Sequence, residues 1–380
     1  MGNHDFVPMD RMNVSYQDAS RKEWCSFLAT IWAHWSVNSS PVPPPQPFSD
    51  SCFTSLLVRD KLLVLNINGM VWYAANSDAK PSLLPEQYDP LGQLRWINDS
   101  LIYARKNGLK VIFASHFPLG APEWNPRAFT HLYPEANKKL LKLLQDYHDV
   151  LTTSLVAHEH TDSFRIILDS QGRPVGSMFL APSVTPFRMQ DIGAFNPRVR
   201  LFSYSRNSGQ ILDYKQFVMD LSVKNPTWSV DYQFRDAYFM DDVSPQSLHK
   251  LLQTFIEEDN PKNLWSAYWK RELGGKRHES EWAECLTARS KCRCVHTCPM
   301  LHLDLELLDE CLARCNELSP DGGHISVPII IGVIIGFLVV LVGIVILVNH
   351  QLCRRRGGSN ALTVMTNNML QKMHPSDYPN

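Results

Sequence analysis

Along the first two hundred residues, short apolar runs alternate with amphipathic segments of helical period. The runs 62–66, 111–114 and 151–157 are each bounded by polar or turn residues, the mark of strands buried on both faces. Between the first two, Asp89 and Pro90 make a helix start, with Asp89 as cap and Pro90 at the first position. Leu94, Ile97, Leu101, Ile102 and Ala104 then recur at helical spacing until Gly108. A second helix is expected over 134–147, with Leu140, Leu141, Leu143 and Leu144 on its apolar side. Strand and helix in alternation predict an α/β layer architecture.

After His160 the pattern tightens into strands without intervening helices, at 164–168, 177–181, 199–204 and 211–214, with a turn at Ser170-Gln171-Gly172. Near Pro226 it returns to helices, over 245–257 with Ser244 as cap and over 262–273, leading into crowded cysteines. The start is less regular: a loop, an aromatic helical stretch over 24–35, then a break at Pro41-Val42-Pro43-Pro44-Pro45. No internal repeat is evident.

One run differs in kind. Residues 327–348, opening on Val327 and closing on Val348, hold no charge and would span about 33 Å as a helix, enough to cross a hydrocarbon core. Arg354, Arg355 and Arg356 follow, so the positive-inside rule places the tail in the cytoplasm and everything before the run outside or in a lumen. A single-pass membrane protein is expected, divided into residues 1–225, a helical cysteine-rich part at 226–318, the membrane helix at 327–348 and a cytoplasmic tail at 349–380. Gly332 and Gly336 within the run have a spacing that packs helices in lipid, and Cys353 stands at the cytoplasmic border, where palmitoylation occurs. An exported domain needs a signal, yet the first thirty residues hold no basic stretch followed by an apolar one. The sequence is therefore expected to continue upstream of Met1.

That compartment gives the cysteines their meaning. With Cys353 on the cytoplasmic side, eight of the nine remain outside, an even number suited to four disulfides. Cys25 and Cys52 flank the irregular proline stretch and are expected to pair; a zinc knuckle is the rival reading of Cys292, Cys294 and Cys298. Acceptor sequons at Asn13, Asn38 and Asn98 fit glycosylation on the exported side. The chain has 37 Lys+Arg against 38 Asp+Glu and no basic patch interleaved with aromatics, which excludes binding to nucleic acid polymers.

The candidate chemistry is written in three pieces: Gly2-Asn3-His4-Asp5, Ser115-His116 and Ala157-His158-Glu159-His160. His116 follows one predicted strand, and His158 with His160 follows another. Ligands collect at the carboxyl ends of strands in α/β sheets, so the three can share a crevice. In an extended segment His158 and His160 would face one side, about 6.6 Å apart. Imidazoles suit zinc-like ions, the Asn3 amide oxygen can complete a coordination shell, and His4 is free to act as general acid.

These three pieces resemble the Gly-Asn-His-Asp/Glu, Gly-His and Gly-His-x-His motifs of calcineurin-like metallophosphoesterases. Longer stretches narrow the likeness: Asp89-Pro90-Leu91-Gly92-Gln93-Leu94-Arg95-Trp96, residues 158–164, Ala181-Pro182-Ser183-Val184-Thr185-Pro186 and the spacing of Cys298 and Cys311 are similar to the acid sphingomyelinase-like phosphodiesterases. The resemblance covers roughly residues 1–315. It implies a partial metallophosphoesterase β-sandwich with flanking helices over 1–225, followed by the small disulfide-rich helical part. It further implies that Asn3, His116 and His158 bind one zinc ion, that His160 binds a second, that His4 protonates the leaving group, and that Cys298 pairs with Cys311. The reaction would be two-metal hydrolysis of a phosphodiester, lipid or nucleotide.

The departures bear on activity. The family's Asp-x-His and Gly-Asp motifs, which precede Gly-Asn-His and supply a bridging aspartate, do not occur here, and Ser115 and Ala157 replace glycines. Glu159 stands between two metal-binding histidines. The polypeptide as written is expected to be inactive or nearly so; the other reading is a non-catalytic, membrane-anchored ectodomain that acts by binding.

Overall fold

A computed structural model describes residues 1–318 apart from 16, 33–39, 82–87, 190–192, 258–263 and 275–282. Met1–Gly323 form one compact unit, and a second unit, His324–Asn380, lies outside the described residues. In chain order the first half comprises α1 (Ala19–Trp32), α2 (Phe48–Ser51), β1 (Thr54–Val58), β2 (Leu62–Asn66), α3 (Gln93–Lys106), β3 (Lys110–Ala114), α4 (Pro134–Asp146) and β4 (Leu151–Val156). Strands β5 (Ser163–Leu168), β6 (Pro174–Leu180), β7 (Phe187–Met189), β8 (Gly193–Phe195), β9 (Arg198–Tyr204), β10 (Ile211–Met219) and β11 (Trp228–Gln233) follow. Helices α5 (Phe234–Tyr238), α6 (Pro245–Glu257), α7 (Leu264–Glu272), α8 (Ala283–Leu286), α9 (Lys291–Leu301) and α10 (Leu305–Cys315) close the unit.

The main sheet has six strands in the order β1-β2-β3-β4-β6-β5. Strands β2, β3, β4 and β6 run parallel, while β1 and β5 are antiparallel at the two edges. The run-like apolarity of β2 and β3 follows from burial on both faces, since parallel sheets are covered on each side. Alternation in β5 and β6 shows which side chain serves which face. Ile167, Met178 and Leu180 join the core formed with α1, α3 and α4, whereas Phe164, Ile166 and Phe179 turn to the other side. There they meet Tyr214 of β10, Tyr232 of β11, Phe234 of α5 and residues of α6, α7 and α9, including Leu252, Phe255, Tyr268 and Met300. The small sheet β11-β10-β9 therefore sits with the C-terminal helices on the second face.

The expected start of α3 moves by three residues. Pro90–Gly92 form a 3-10 turn in which Leu91 (φ 59°) and Gly92 (φ 68°) take left-handed backbone, so the α-helix begins at Gln93. Asp89 still caps it, accepting from the amides of Leu94 (2.7 Å) and Arg95 (3.2 Å). Ser244 caps α6, its Oγ accepting from the Ser247 amide at 3.2 Å.

Disulfides join Cys25 to Cys52, Cys285 to Cys292, Cys294 to Cys315 and Cys298 to Cys311. Cys292, Cys294 and Cys298 thus offer no thiolate to a zinc knuckle. The first bond ties α1 to the residue after α2; the last two staple α9 to α10.

The fold class and localisation require a correction. The longest helices, α1 and α3, have 14 residues each, about 21 Å against the ~30 Å of a hydrocarbon core. No helix among the described residues is long and apolar enough to cross a membrane. The run 327–348 lies outside the described residues. The single-pass membrane assignment is therefore withdrawn, and the fold is a mixed α/β fold without a membrane-crossing helix among the described residues.

Candidate metal centre

The parallel strands bring the three motif pieces to one end of the sheet. His116 follows β3 and His158 follows β4, and the two loops are tied together by the Ala157 amide donating to the His116 carbonyl at 2.9 Å. The chain start reaches the same edge because the Met1 amine donates to the Ile67 carbonyl, just past β2, at 3.0 Å. Asp5 folds Met1 to Asp5 into a turn, its carboxylate accepting from the Gly2 amide at 2.8 Å. Gly2 then packs on the His116 ring so closely that a Cβ would lie 2.8 Å from Cγ, below any real contact.

Asn3 Oδ1 lies 3.0 Å from His116 Nε2, and His158 Nδ1 lies 3.2 Å from the same nitrogen. Asn3 is buried and its amide nitrogen is held by Asp10 at 3.0 Å, which fixes the oxygen toward His116. Two donors on a tetrahedral ion with ~2.1 Å bonds stand about 3.4 Å apart. The distances of Asn3 and His158 from His116 are therefore those of donors that can share a zinc-sized ion. Burial, then His158 and the chain amine, push the His116 imidazole down to about 3; burial, then His131, His160 and His4, push His158 to about 3. Both rings are neutral at pH 7, so each can offer a ring nitrogen to a cation once its hydrogen sits on the other nitrogen.

His160 and His4 line a cleft together with Asn3 and His158, a volume of about 230 Å³ bounded also by Tyr73, Trp124, Phe129, His131 and Glu159. The His-x-His pair does not adopt the extended form its spacing implies. His158 (φ 70°) and His160 (φ 62°) both take left-handed backbone, and Glu159 donates its amide to the Ala157 carbonyl at 2.9 Å in a tight turn. The turn drives Glu159 into the interior. Its Oε1 accepts from Arg165 and lies 2.8 Å from His131 Nε2, all three side chains being buried. Burial pushes Glu159 above its ordinary range while Arg165 opposes this. Arginine cannot give up its proton, so the buried pair keeps Glu159 anionic. His131, held well below its ordinary value by burial and then by Arg165, is neutral.

His131, Tyr73, Trp124 and Phe129 belong to the cleft without any motif pointing to them. The one local signal was Glu159, a carboxylate whose burial demands a cation. Tyr73 stacks on Phe117 at 4.2 Å and meets His158 edge-on at 5.4 Å, giving the cleft an apolar wall. Of the expected sequons, Asn13 is exposed, Asn98 lies on α3 and accepts from the Tyr147 hydroxyl at 2.9 Å, and Asn38 is outside the described residues.

A second titratable cluster, none of whose members lines the cleft, acts electrostatically on Glu159. His296 Nε2 of α9 is 3.1 Å from Glu123 Oε2 and 3.4 Å from Glu272 Oε1, all buried. Glu123 also accepts from Ser163 and, at 2.7 Å, from Tyr268. These three are close enough together to hold an ion, but burial, which lowers His296, is overcome by Glu272 and Glu123, which carry it up to about 9. The proton on His296 already supplies the positive charge there.

Residues 173–317 match the model of the acid sphingomyelin phosphodiesterase C-terminal region. The chain is 26% identical over 320 residues to cyclic GMP-AMP phosphodiesterase SMPDL3A of Bos taurus, covering 83% of this chain and 66% of that one. It is 28% identical over 327 residues to acid sphingomyelinase-like phosphodiesterase 3b of Homo sapiens, covering 82% and 66%. With sphingomyelin phosphodiesterase of Bos taurus it shares 25% over 334 residues, 84% of this chain and 48% of that one. The solved structure of PhoD superposes with a TM-score of 0.38 at 8% identity, over 61% of this chain and 51% of that one, which carries no argument. The fold is mixed α/β with a histidine-rich cleft at the strand ends. These matches support placing the chain with the acid sphingomyelinase-like phosphodiesterases, and it spans about two thirds of the length of the first relatives named.

Proposed function

We propose that this cleft is a metal-dependent phosphodiesterase site. Asn3, His116 and His158 would hold one ion, zinc by its donor set, and His160 would contribute to a second. When bound, such ions polarise phosphoryl oxygens and acidify a water for in-line attack. His4, exposed at the mouth of the cleft, would give its proton to the leaving oxygen. The wall of Tyr73, Trp124 and Phe129 would exclude water and receive the apolar or aromatic part of the substrate. Residues 1–225 carry the site, and the helical part, 226–318, supports the sheet from behind.

The observation that carries this reading is the approach of Asn3 Oδ1 and His158 Nδ1 to His116 Nε2, at 3.0 and 3.2 Å, at the strand ends. The substrate class is a phosphodiester; the relatives' names divide between sphingomyelin and a cyclic dinucleotide. Turnover by this chain is slow or absent, because the one carboxylate lining the cleft among the described residues, Glu159, is engaged by Arg165 and His131. Incubating the full chain with a chromogenic phosphodiester, a sphingomyelin vesicle or a cyclic dinucleotide, with zinc and with chelator, tests it. Zinc bound at Asn3, His116 and His158 with slow, chelator-sensitive hydrolysis is expected. Fast hydrolysis would remove the claim of impairment; zinc binding and substrate retention with no turnover would favour a binding role; no zinc binding would remove the metal centre.

A further inference from the structure

We propose that His131 is itself a metal-binding residue of this chain, presenting Nδ1 to a cation in the cleft while Glu159 holds its Nε2. The proposal rests on the metal-centre reading above and adds a ligand that the three motifs do not contain.

The tautomer follows from the partners. Glu159 Oε1 accepts from Arg165, which can only donate, and the same oxygen lies 2.8 Å from His131 Nε2. The hydrogen of the neutral ring therefore sits on Nε2, and the lone pair sits on Nδ1. That Nδ1 is buried and has no hydrogen-bond partner among the described residues. Buried polar atoms are almost always paired, and an unpaired acceptor beside a cleft calls for a cation or a donor. The side chain is 1% exposed, so bulk water does not fill the role.

Position and shell point to a metal. His131 lines the cleft together with His158 and His160. Its ring centroid is 5.4 Å from that of His158, with the planes at 87°. Two imidazoles on one tetrahedral ion place their centroids roughly 5 Å apart. A metal-binding histidine characteristically gives its other N–H to a carboxylate, which fixes the tautomer and raises the basicity of the ligating nitrogen. His131, Glu159 and Arg165 form that arrangement, with Arg165 neutralising the carboxylate.

Two substitutions separate the roles. His131→Gln keeps an N–H where Nε2 stood, for Glu159, and removes Nδ1; His131→Asn places an acceptor near Nδ1 and abandons Glu159. Zinc and, separately, cobalt binding to the full chain would be measured by equilibrium dialysis with elemental analysis, and the cobalt spectrum recorded. If Nδ1 is a ligand, His131→Gln loses one ion or binds zinc at least tenfold more weakly, the cobalt absorption changes, and His131→Asn recovers part of the affinity. A structural role predicts the opposite order, Gln above Asn. That order, or wild-type zinc affinity in His131→Gln, overturns the proposal. Should the Gln variant not fold, Asn against Phe carries the same comparison, and equal zinc affinity in those two also overturns it. Loss of zinc in His116→Ala with no change in His131→Gln leaves the metal-centre reading standing and removes this one alone. Absence of zinc binding by the wild-type chain removes both.

Discussion

Gly2 and His116, 114 residues apart in sequence, touch so closely that any side chain at position 2 would have to displace the imidazole: a Cβ there would stand 2.8 Å from Cγ and Nδ1. The glycine of the first motif thus serves the histidine of the second. Gly2→Ala is expected to shift His116 away from Asn3 and His158 and to weaken zinc binding by at least tenfold. Isothermal titration with zinc checks this, and unaltered affinity would count against the proposed trio.

The same trio sets an acid limit. His116 and His158 titrate at about 3 in the folded chain, against about 6.5 when unfolded. Below 6.5 the unfolded state takes up protons that the folded state refuses, so stability is full above that pH and falls from 6.5 toward 3. In chelator, the melting temperature should drop between pH 7 and pH 5, and His116→Gln should make that drop smaller. Zinc should oppose the loss by competing with the protons at neutral pH and be expelled as the pH falls. Melting curves with and without zinc across this range decide it.

Arg165 should be far less replaceable than its sequence context implies. It is fully buried and bonds both the Leu119 carbonyl and Glu159. Arg165→Met leaves Glu159 as a buried charge without its cation, a loss of about 3–5 kcal/mol. Combining it with Glu159→Gln should recover much of that stability, because the stranded charge is then gone. Denaturant unfolding of the single and double variants measures the coupling, and strict additivity would show that the pair does not interact.

Much of the sheet was legible because β2, β3 and β4 are apolar runs with turn residues at both ends, a pattern that burial on two faces imposes. The start of α3 was displaced because Leu91 and Gly92 take left-handed backbone, which the Asp-Pro signal does not announce. Strand β11 escaped because Trp228 and Val230 are apolar yet 46% and 54% exposed, so its alternation does not sort inside from outside. At the site, Asn3, His116, His158 and His160 were readable from short motifs. His131 was not: it lies 28 residues before Glu159, in the connection between β3 and α4, and only folding brings the two together. The left-handed turn at His158 and His160 was equally hidden, since the tertiary pull of Arg165 on Glu159 overrides the extended spacing.

Helix α9 is tied to α7 and to the connection between β3 and α4 by a charge that should give way on the alkaline side. His296 of α9 bridges Glu123 and Glu272 with a pKa near 9, raised by Glu272 and Glu123 against the effect of burial. Its folded value lies above its unfolded one, so its contribution is complete below about 6.5 and is lost as pH rises through 9. The wild-type melting temperature should therefore fall between pH 7 and pH 9.5. His296→Gln should be destabilised by about 3–5 kcal/mol at pH 7, since two buried carboxylates lose their cation, and should show little further loss at pH 9.5. A variant as pH-sensitive as the wild type over that interval would show that the alkaline transition belongs to another group.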